Sequence, residues 1–285
     1  METYHQIESM RARVRAWQVE GEVVGFVPTM GNLHEGHLRL VRHARRISDR
    51  VVASVFVNPT QFGPSEDFDG YPRTLEADSE QLRAEGTDAL FAPPVSEVYP
   101  RGLDHVVTIH VPGLSDILCG AHRPGHFTGV ATVVCKLFNM IAPDRAVFGR
   151  KDFQQYQIIR RMVADLNVPV EVIGSETARA PDGLALSSRN AYLEPAERQI
   201  APALYRELHC IASSLKAGER DFLQLEAQGW EHLRRVGMQP DYVSIRRRDT
   251  LEEPVPDLPA SQFVVLGAAR LGRARLIDNI EVADL

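Results

Sequence analysis

The feature that most restricts this chain is the alternation of wholly apolar runs with amphipathic stretches. VVGFVPT (Val23 to Thr29) reads as a buried strand. It runs into a glycine-bearing turn and then into GHLRLVRHARRIS, where Leu38, Val41 and Ala44 recur at helical spacing. VVASVFV (Val51 to Val57) is a second apolar run, rich in β-branched residues, and it stops at the Asn-Pro step of NPTQF, a loop. TLEADSEQLRAEG predicts a helix ending at Gly86, and DALFAP a further strand. Strands that are apolar on both faces and alternate with helices belong to a parallel sheet covered by helices, so the expected fold class is α/β.

TGVATVVCKLFNMIAP places Val130, Val133, Val134, Leu137, Phe138 and Ile141 on one helical face, with Thr128 the expected N-cap and Pro143 the stop. RAVFG predicts a short strand, DFQQYQIIRRMVADLN a helix and VEVIG another strand. The alternation then weakens. After DGLALSSRNAYLEP, helical stretches are expected from about Pro195 to Lys216 and from about Asp221 to Val236. Three strand-like runs follow, DYVSIRR, QFVVLGAARLG and ARLIDNI. A boundary is expected near Ala178 to Asp182, separating an α/β domain over 1–178 from a smaller α+β domain over 179–285.

Composition narrows the function. With 285 residues there is enough chain for a substantial core. A net charge of -6 argues against holding nucleic acid by phosphate neutralisation, although a local pocket can still be basic. Cys119, Cys135 and Cys210 are odd in number and widely spaced, which fits a reduced, cytoplasmic setting better than a disulfide scaffold. METYHQIESMRARVRAW is charged and helical in pattern, so no leader peptide is expected there, and no apolar run suggests a membrane span.

The turn between the first strand and its helix is PTMGNLHEGH, with His34 and His37 three residues apart and glycines at Gly31 and Gly36. Two surface histidines at a turn are the ordinary reading. Yet the carboxyl end of a buried strand opening into a helix is where α/β sheets bind ligands. A helix N-terminus offers N–H groups and partial positive charge to a phosphate, and histidine side chains can donate as charge builds in a transition state. Zinc is the rival: H-E-G-H differs from H-E-x-x-H in spacing and has no evident third ligand. Neither G-x-x-x-x-G-K-[ST] nor G-x-G-x-x-G occurs in the sequence. Gln61, in NPTQF, follows the carboxyl end of the second strand and so faces the same crevice as His34.

HEGH looks like the H-x-G-H signature of the nucleotidyl-transferase superfamily. Its surroundings are more specific. PTMGNLHEGHLRLV, FVNPTQF, YPRTLEAD, RPGHFTGVATVVCKLFN, FGRKDFQQYQIIRRMVADL, DGLALSSRNAYL and RLIDNI occur in order along the chain. Together they resemble the pantothenate synthetase (pantoate–β-alanine ligase) family. The resemblance implies a Rossmann-like N-terminal domain with a C-terminal lid. It implies condensation of (R)-pantoate with β-alanine to pantothenate, with ATP cleaved to AMP and pyrophosphate through a pantoyl adenylate. Magnesium would accompany ATP, and a homodimer is usual. No covalent enzyme intermediate is needed, so catalysis would rest on positioning and charge stabilisation.

By resemblance, Met30, Gly31, Asn32, Leu33, His34, Glu35, Gly36 and His37 surround ATP, with His37 and His34 catalytic. Gly149, Arg150, Lys151 and Asp152 serve the nucleotide, Lys151 as a point charge for phosphate. Asp152 can alternatively cap its helix. Gln61 and Gln155 hold pantoate, and Arg123 and His126 line its side of the site. Leu186, Ser187, Ser188 and Arg189 correspond to a basic loop over the phosphates, and Ala178 offers backbone groups to the adenine. Asp78 falls in the magnesium region. Two positions depart from the family's usual pattern: Arg150 stands where Glu is common, and Ala180 where an acid is common. Two other readings remain: a nucleotidyl transferase that adenylylates a phosphate, and a silent nucleotide-binding protein. A tRNA-dependent synthetase is disfavoured by the net charge.

Overall fold

The structure is a computed structural model and describes residues 1–63 and 68–285. The chain divides into two compact units, Met1–Arg150 with Ile158–Glu176, and Lys151–Gln157 with Thr177–Leu285.

In the first unit, β1 (Glu2–Tyr4), β2 (Val24–Thr29), β3 (Arg50–Val55), β4 (Ala89–Phe91), β5 (Arg145–Gly149) and β6 (Glu171–Ser175) form one sheet. All of its pairings are parallel, and the spatial order is β1-β4-β3-β2-β5-β6. The core explains the apolar strand sequences: Val27, Val51, Ala53, Leu90 and Val147 of the strands pack with Val41 and Ala44 of the helix Glu35–Ile47. From β2 the chain steps through β3 to β4 on one side, then crosses back to lay β5 and β6 on the other. The order therefore reverses between β2 and β5, the position at which open α/β sheets leave a crevice at the strands' carboxyl ends.

A device at the opposite, amino end holds the register. Asp49 accepts the Val23 N–H at 2.8 Å and returns its own N–H to the Val23 carbonyl at 2.9 Å. Asp88 makes the same pair of bonds with Val51, at 2.8 and 2.9 Å. Asp144 makes it with Val24, at 2.7 and 3.0 Å. Each clamp satisfies strand-end groups that would otherwise be orphaned.

Three expectations need correction. The N-terminal stretch is helical only over Ile7–Val19, and Glu2–Tyr4 pairs with β4. A strand of three residues is too short for periodicity to reveal. The helix expected to start after Thr128 runs over His126–Ile141, with Gly125 as its N-cap. The stretch expected to be helical from Pro195 to Lys216 is two helices, Pro195–Ile200 and Ala203–Lys216. Pro202 stands at the break, because proline has no N–H to continue the ladder.

In the second unit, β7 (Gln239–Arg247), β8 (Phe263–Leu271) and β9 (Ala274–Glu281) form an antiparallel sheet in that order. Leu204, Leu208, Ile211 and Leu215, along one helix face, pack with Val243, Ile245, Phe263 and Val265 from the sheet. Asp221 caps the helix Phe222–Arg235 by accepting the Gln224 N–H at 3.0 Å.

Asp144→Ala leaves the Val24 N–H without its acceptor. Stability should fall by about 1–3 kcal/mol in a urea titration, with the slope of the transition unchanged.

Candidate active site

The site is built first at the end of β2. The Thr29 hydroxyl donates to the Ser54 carbonyl at 2.7 Å and accepts the Gly31 N–H at 3.2 Å, tying the turn to β3. Gly31 has φ +83° and Asn32 φ +51°, so the chain bends through the left-handed region. A Cβ on Gly31 would also lie 3.0 Å from both Asp78 Oδ2 and Val55 Cγ1. The next two N–H groups end on Asp78: Asn32 donates to Oδ2 at 3.0 Å and Leu33 to Oδ1 at 2.8 Å. The Thr74 hydroxyl adds a bond to Oδ2 at 3.1 Å. Asp78 is 1% exposed, and each of its oxygens accepts from the protein. That is the environment of a carboxylate that shapes a loop.

The two histidines follow at once. His34 is the N-cap of the helix Glu35–Ile47, and its Nδ1 accepts the Gly36 N–H at 3.0 Å. His37 Nδ1 accepts the His34 N–H at 3.4 Å, closing a reciprocal cap. The rings lie 4.1 Å apart, tilted by 36°. An Nδ1 that accepts carries no proton, so in each neutral imidazole the proton sits on Nε2. Both rings therefore present an Nε2–H donor. The helix N-terminus differs here from a plain phosphate cradle, since the Gly36 N–H is already taken by His34. Glu35 turns to the helix surface, where Arg42 donates to it at 2.6 Å and Arg39 lies 3.5 Å away. The hydrogen bond from Arg42 is the main cause holding the Glu35 carboxyl below the usual range.

Gln61 lies at the end of β3 in the short turn Pro59–Gln61. Its organiser is Asn58, a buried residue that sequence reasoning did not single out. Asn58 Oδ1 accepts the Tyr99 hydroxyl at 2.7 Å, while Nδ2 donates to Gln61 Oε1 at 3.1 Å and to the Gly129 carbonyl at 3.3 Å. Burial pushes the Tyr99 phenol up, which keeps it a neutral donor. Gln61 Nε2 comes within 2.8 Å of Met30 Sδ, so the fold brings the β2 and β3 turns together. Gly129 permits this, because a Cβ there would stand 2.3 Å from the Thr60 carbonyl oxygen.

His126 completes the group. Its Nδ1 lies 2.8 Å from the Gln61 carbonyl, which can only accept, so Nδ1 carries the proton. Its Nε2 then accepts from Arg123 Nη1 at 2.9 Å, consistent with a neutral ring. Arg123 and His126 thus hold the backbone of Gln61. The only signal for Asn58 was a polar residue closing an apolar strand.

Gly149 ends β5, on the other side of the order reversal from β2. Arg150 is mostly buried and reaches Glu176 at 3.9 Å.

The remaining expected residues lie in the second unit. Lys151 Nζ is 3.7 Å from Asp152 Oδ1, and Gln155 is half-buried in the first turn of the helix Phe153–Asp165. The Ala178 carbonyl accepts the Leu186 N–H at 2.8 Å, and Arg179 bridges to Ala185. This makes a tight loop whose tip contains Ala180, with its methyl packed on the apolar core. Ser187 Oγ accepts the Arg189 N–H at 3.3 Å and caps the short helical turn Ser188–Tyr192.

Comparison with known proteins places the chain. A sequence model described as pantoate-beta-alanine ligase matches residues 2–281. The chain is 54% identical to the pantothenate synthetase of Alkalilimnicola ehrlichii, over 99% of this chain and 98% of that one. It is 54% identical to that of Pseudomonas aeruginosa, over 99% of each. Among solved structures, pantothenate synthetase from Thermus thermophilus superposes with a TM-score of 0.91 at 48% identity, covering 99% of both chains. Pantoate-beta-alanine ligase from Francisella tularensis, complexed with beta-gamma ATP and beta-alanine, superposes at 0.82 with 31% identity, covering 99% of this chain and 98% of that one.

Two measurements check this geometry. Nitrogen-15 shifts of the imidazoles should show Nδ1 unprotonated and Nε2 protonated in both His34 and His37 above their pKa values. Asp78→Ala should lower the unfolding free energy by about 2–3 kcal/mol, as two buried N–H groups lose their acceptor.

Proposed function

The chain belongs to the pantoate–β-alanine ligase family and condenses (R)-pantoate with β-alanine using ATP, and we propose that the His34–His37 turn is where the chemistry is driven. In the first step a pantoate carboxylate oxygen attacks the α-phosphorus of ATP. The bond to the bridging oxygen breaks, pyrophosphate leaves and pantoyl adenylate forms. Negative charge grows on the α-phosphate oxygens and on the departing pyrophosphate. The Nε2–H groups of His37 and His34 are the donors assigned to that charge. In the second step the β-alanine amine attacks the acyl carbon, AMP departs with its oxygen, and the nitrogen loses a proton as the amide forms.

The single observation supporting this reading is the reciprocal cap, which fixes both tautomers before substrate arrives. Donors preset in this way need no reorganisation at the moment of reaction. Met30, Gly31, Asn32, Leu33, Glu35 and Gly36 are assigned to the ATP side through the backbone they contribute to the turn. Asp78 is assigned to hold that turn. Gln61 is assigned to pantoate, its amide oriented by Asn58 and its backbone by His126 and Arg123. We assign the same substrate to Gln155. Gly149, Arg150, Lys151, Asp152, Ala178, Leu186, Ser187, Ser188 and Arg189 are assigned to the nucleotide. In this reading 1–178 is the catalytic domain and 179–285 the lid.

Magnesium belongs to the reading as part of the substrate MgATP. The surroundings of Asp78 do not suit a metal ligand, because both of its oxygens accept protein N–H or O–H groups. Among the described residues no three His, Cys, Asp or Glu side chains converge on one point. Magnesium bound mainly by phosphates and water is consistent with its chemistry. Among the described residues no helix is long and apolar enough to cross a membrane. A cytoplasmic homodimer is the assembly we propose from the family resemblance.

The test is exchange of labelled pyrophosphate into ATP without β-alanine. Exchange should require pantoate, and AMP should appear when β-alanine is added. His37→Ala should fold near-normally, with one capping bond lost, and lose on the order of a hundredfold or more in exchange rate. Near wild-type exchange in that variant would remove His37 from the mechanism.

A further inference from the structure

Two adjacent residues of β9, Asp278 and Asn279, are both buried and have no part in the assignments above. Asp278 receives Arg179 through two parallel bonds, Nη1 to Oδ2 at 2.6 Å and Nη2 to Oδ1 at 2.9 Å. The same guanidinium donates to the Gly183 carbonyl at 3.1 Å and to the Asn279 carbonyl at 3.3 Å, and it stacks 4.1 Å from the Tyr205 ring. Asp278 Oδ1 also accepts the Asn279 N–H at 2.8 Å. The backbone of β9 at Asn279 is therefore held by a planar, two-pronged ion pair.

The Asn279 side chain reaches elsewhere. Its Nδ2 donates to the main-chain carbonyl of Lys151 at 2.9 Å. That carbonyl lies in the short 3-10 turn Arg150–Asp152, a conformation whose own hydrogen bonding is weaker than that of an α-helix. An outside donor on the carbonyl fixes the plane of the peptide that follows Lys151, and with it the direction in which the lysine side chain leaves the backbone. The lysine stem is mostly buried, so its course is set early.

We propose that Asn279 is a positioning residue for Lys151: its buried amide sets the Lys151 peptide so that the ammonium meets the ATP phosphates. Asp278 and Arg179 hold Asn279 in place for that task. The inference rests on the assignment of Lys151 to the phosphates. An ångström of misplacement in a group that acts by position is costly, and that gives a buried asparagine far along the chain an effect on nucleotide affinity.

The experiment is a double-mutant cycle in the full chain, with Lys151→Ala, Asn279→Ala and the pair, read as the calorimetric Kd for MgATP and, as control, for pantoate. Asn279→Ala should weaken MgATP about tenfold and leave the pantoate Kd within about threefold. In the Lys151→Ala background it should change the MgATP Kd by less than about twofold, the non-additivity expected of residues acting as one unit. If Asn279→Ala is not folded by circular dichroism, Asn279→Ser takes its place in the cycle. A Lys151→Ala protein that binds MgATP as tightly as the wild type overturns the assignment of Lys151 and the inference with it. An impaired Lys151→Ala protein on which Asn279→Ala adds its full effect overturns the inference alone. So does an Asn279 variant with a lower active fraction but an unaltered MgATP Kd.

Discussion

Two consecutive backbone N–H groups, those of Asn32 and Leu33, end on the one buried carboxylate of Asp78. The catalytic reading depends on that arrangement. A chain leaving a parallel strand must turn sharply before it can start a helix, and the turn strands its own N–H groups. A partner from the helix Leu75–Ala84 satisfies them here, at a position more than forty residues away. Thr29 does the same for Gly31 from inside β2. With those donors occupied, the turn is tied at three successive residues before His34 takes the N-cap position.

The reciprocal cap then acts as structure and as chemistry. His34 and His37 each use Nδ1 to satisfy a backbone N–H, which is ordinary helix capping. Doing so commits the opposite nitrogen of each ring to carrying a proton. An aspartate cap would stabilise the helix as well, but an ionised carboxylate has no proton to donate. That is why residue types that look odd at a helix start suit a charge-stabilising site. It also changes the part played by the helix N-terminus: the His34 and Gly36 N–H groups orient the rings, and in the proposed mechanism the rings, not those N–H groups, meet the developing charge.

Much of this was legible in the sequence for a simple reason. Buried parallel strands are apolar throughout, so β2, β3 and β5 announce themselves, and the order of strand, glycine turn and helix locates the crevice. Glu2–Tyr4 was hidden because a three-residue edge strand carries no period, and Pro202 was passed over because the residues around it keep a helical pattern. The three aspartate clamps were invisible for another reason. Each depends on a partner strand whose register no local pattern encodes. Asn58 belongs with them: its importance comes from Tyr99, Gln61 and Gly129, and only the fold assembles that set.

The two departures from the family pattern separate what a loop's shape needs from what its tip carries. At Ala180 the turn is closed by backbone bonds, Ala180 to the Leu184 carbonyl and Gly183 to the Ala180 carbonyl, both at 2.9 Å. Arg179 adds a side-chain bond to Gly183 and anchors the loop to Asp278. None of these bonds uses the side chain at 180, whose methyl packs on the core instead. An acid can therefore be absent there without the loop changing course. Arg150 is a different case. It stands at the carboxyl end of β5 with Glu176 beside it, so the charge it adds is partly offset within the first unit. A guanidinium next to a carboxylate keeps N–H groups on its far side, so Arg150 remains able to donate to a further anion.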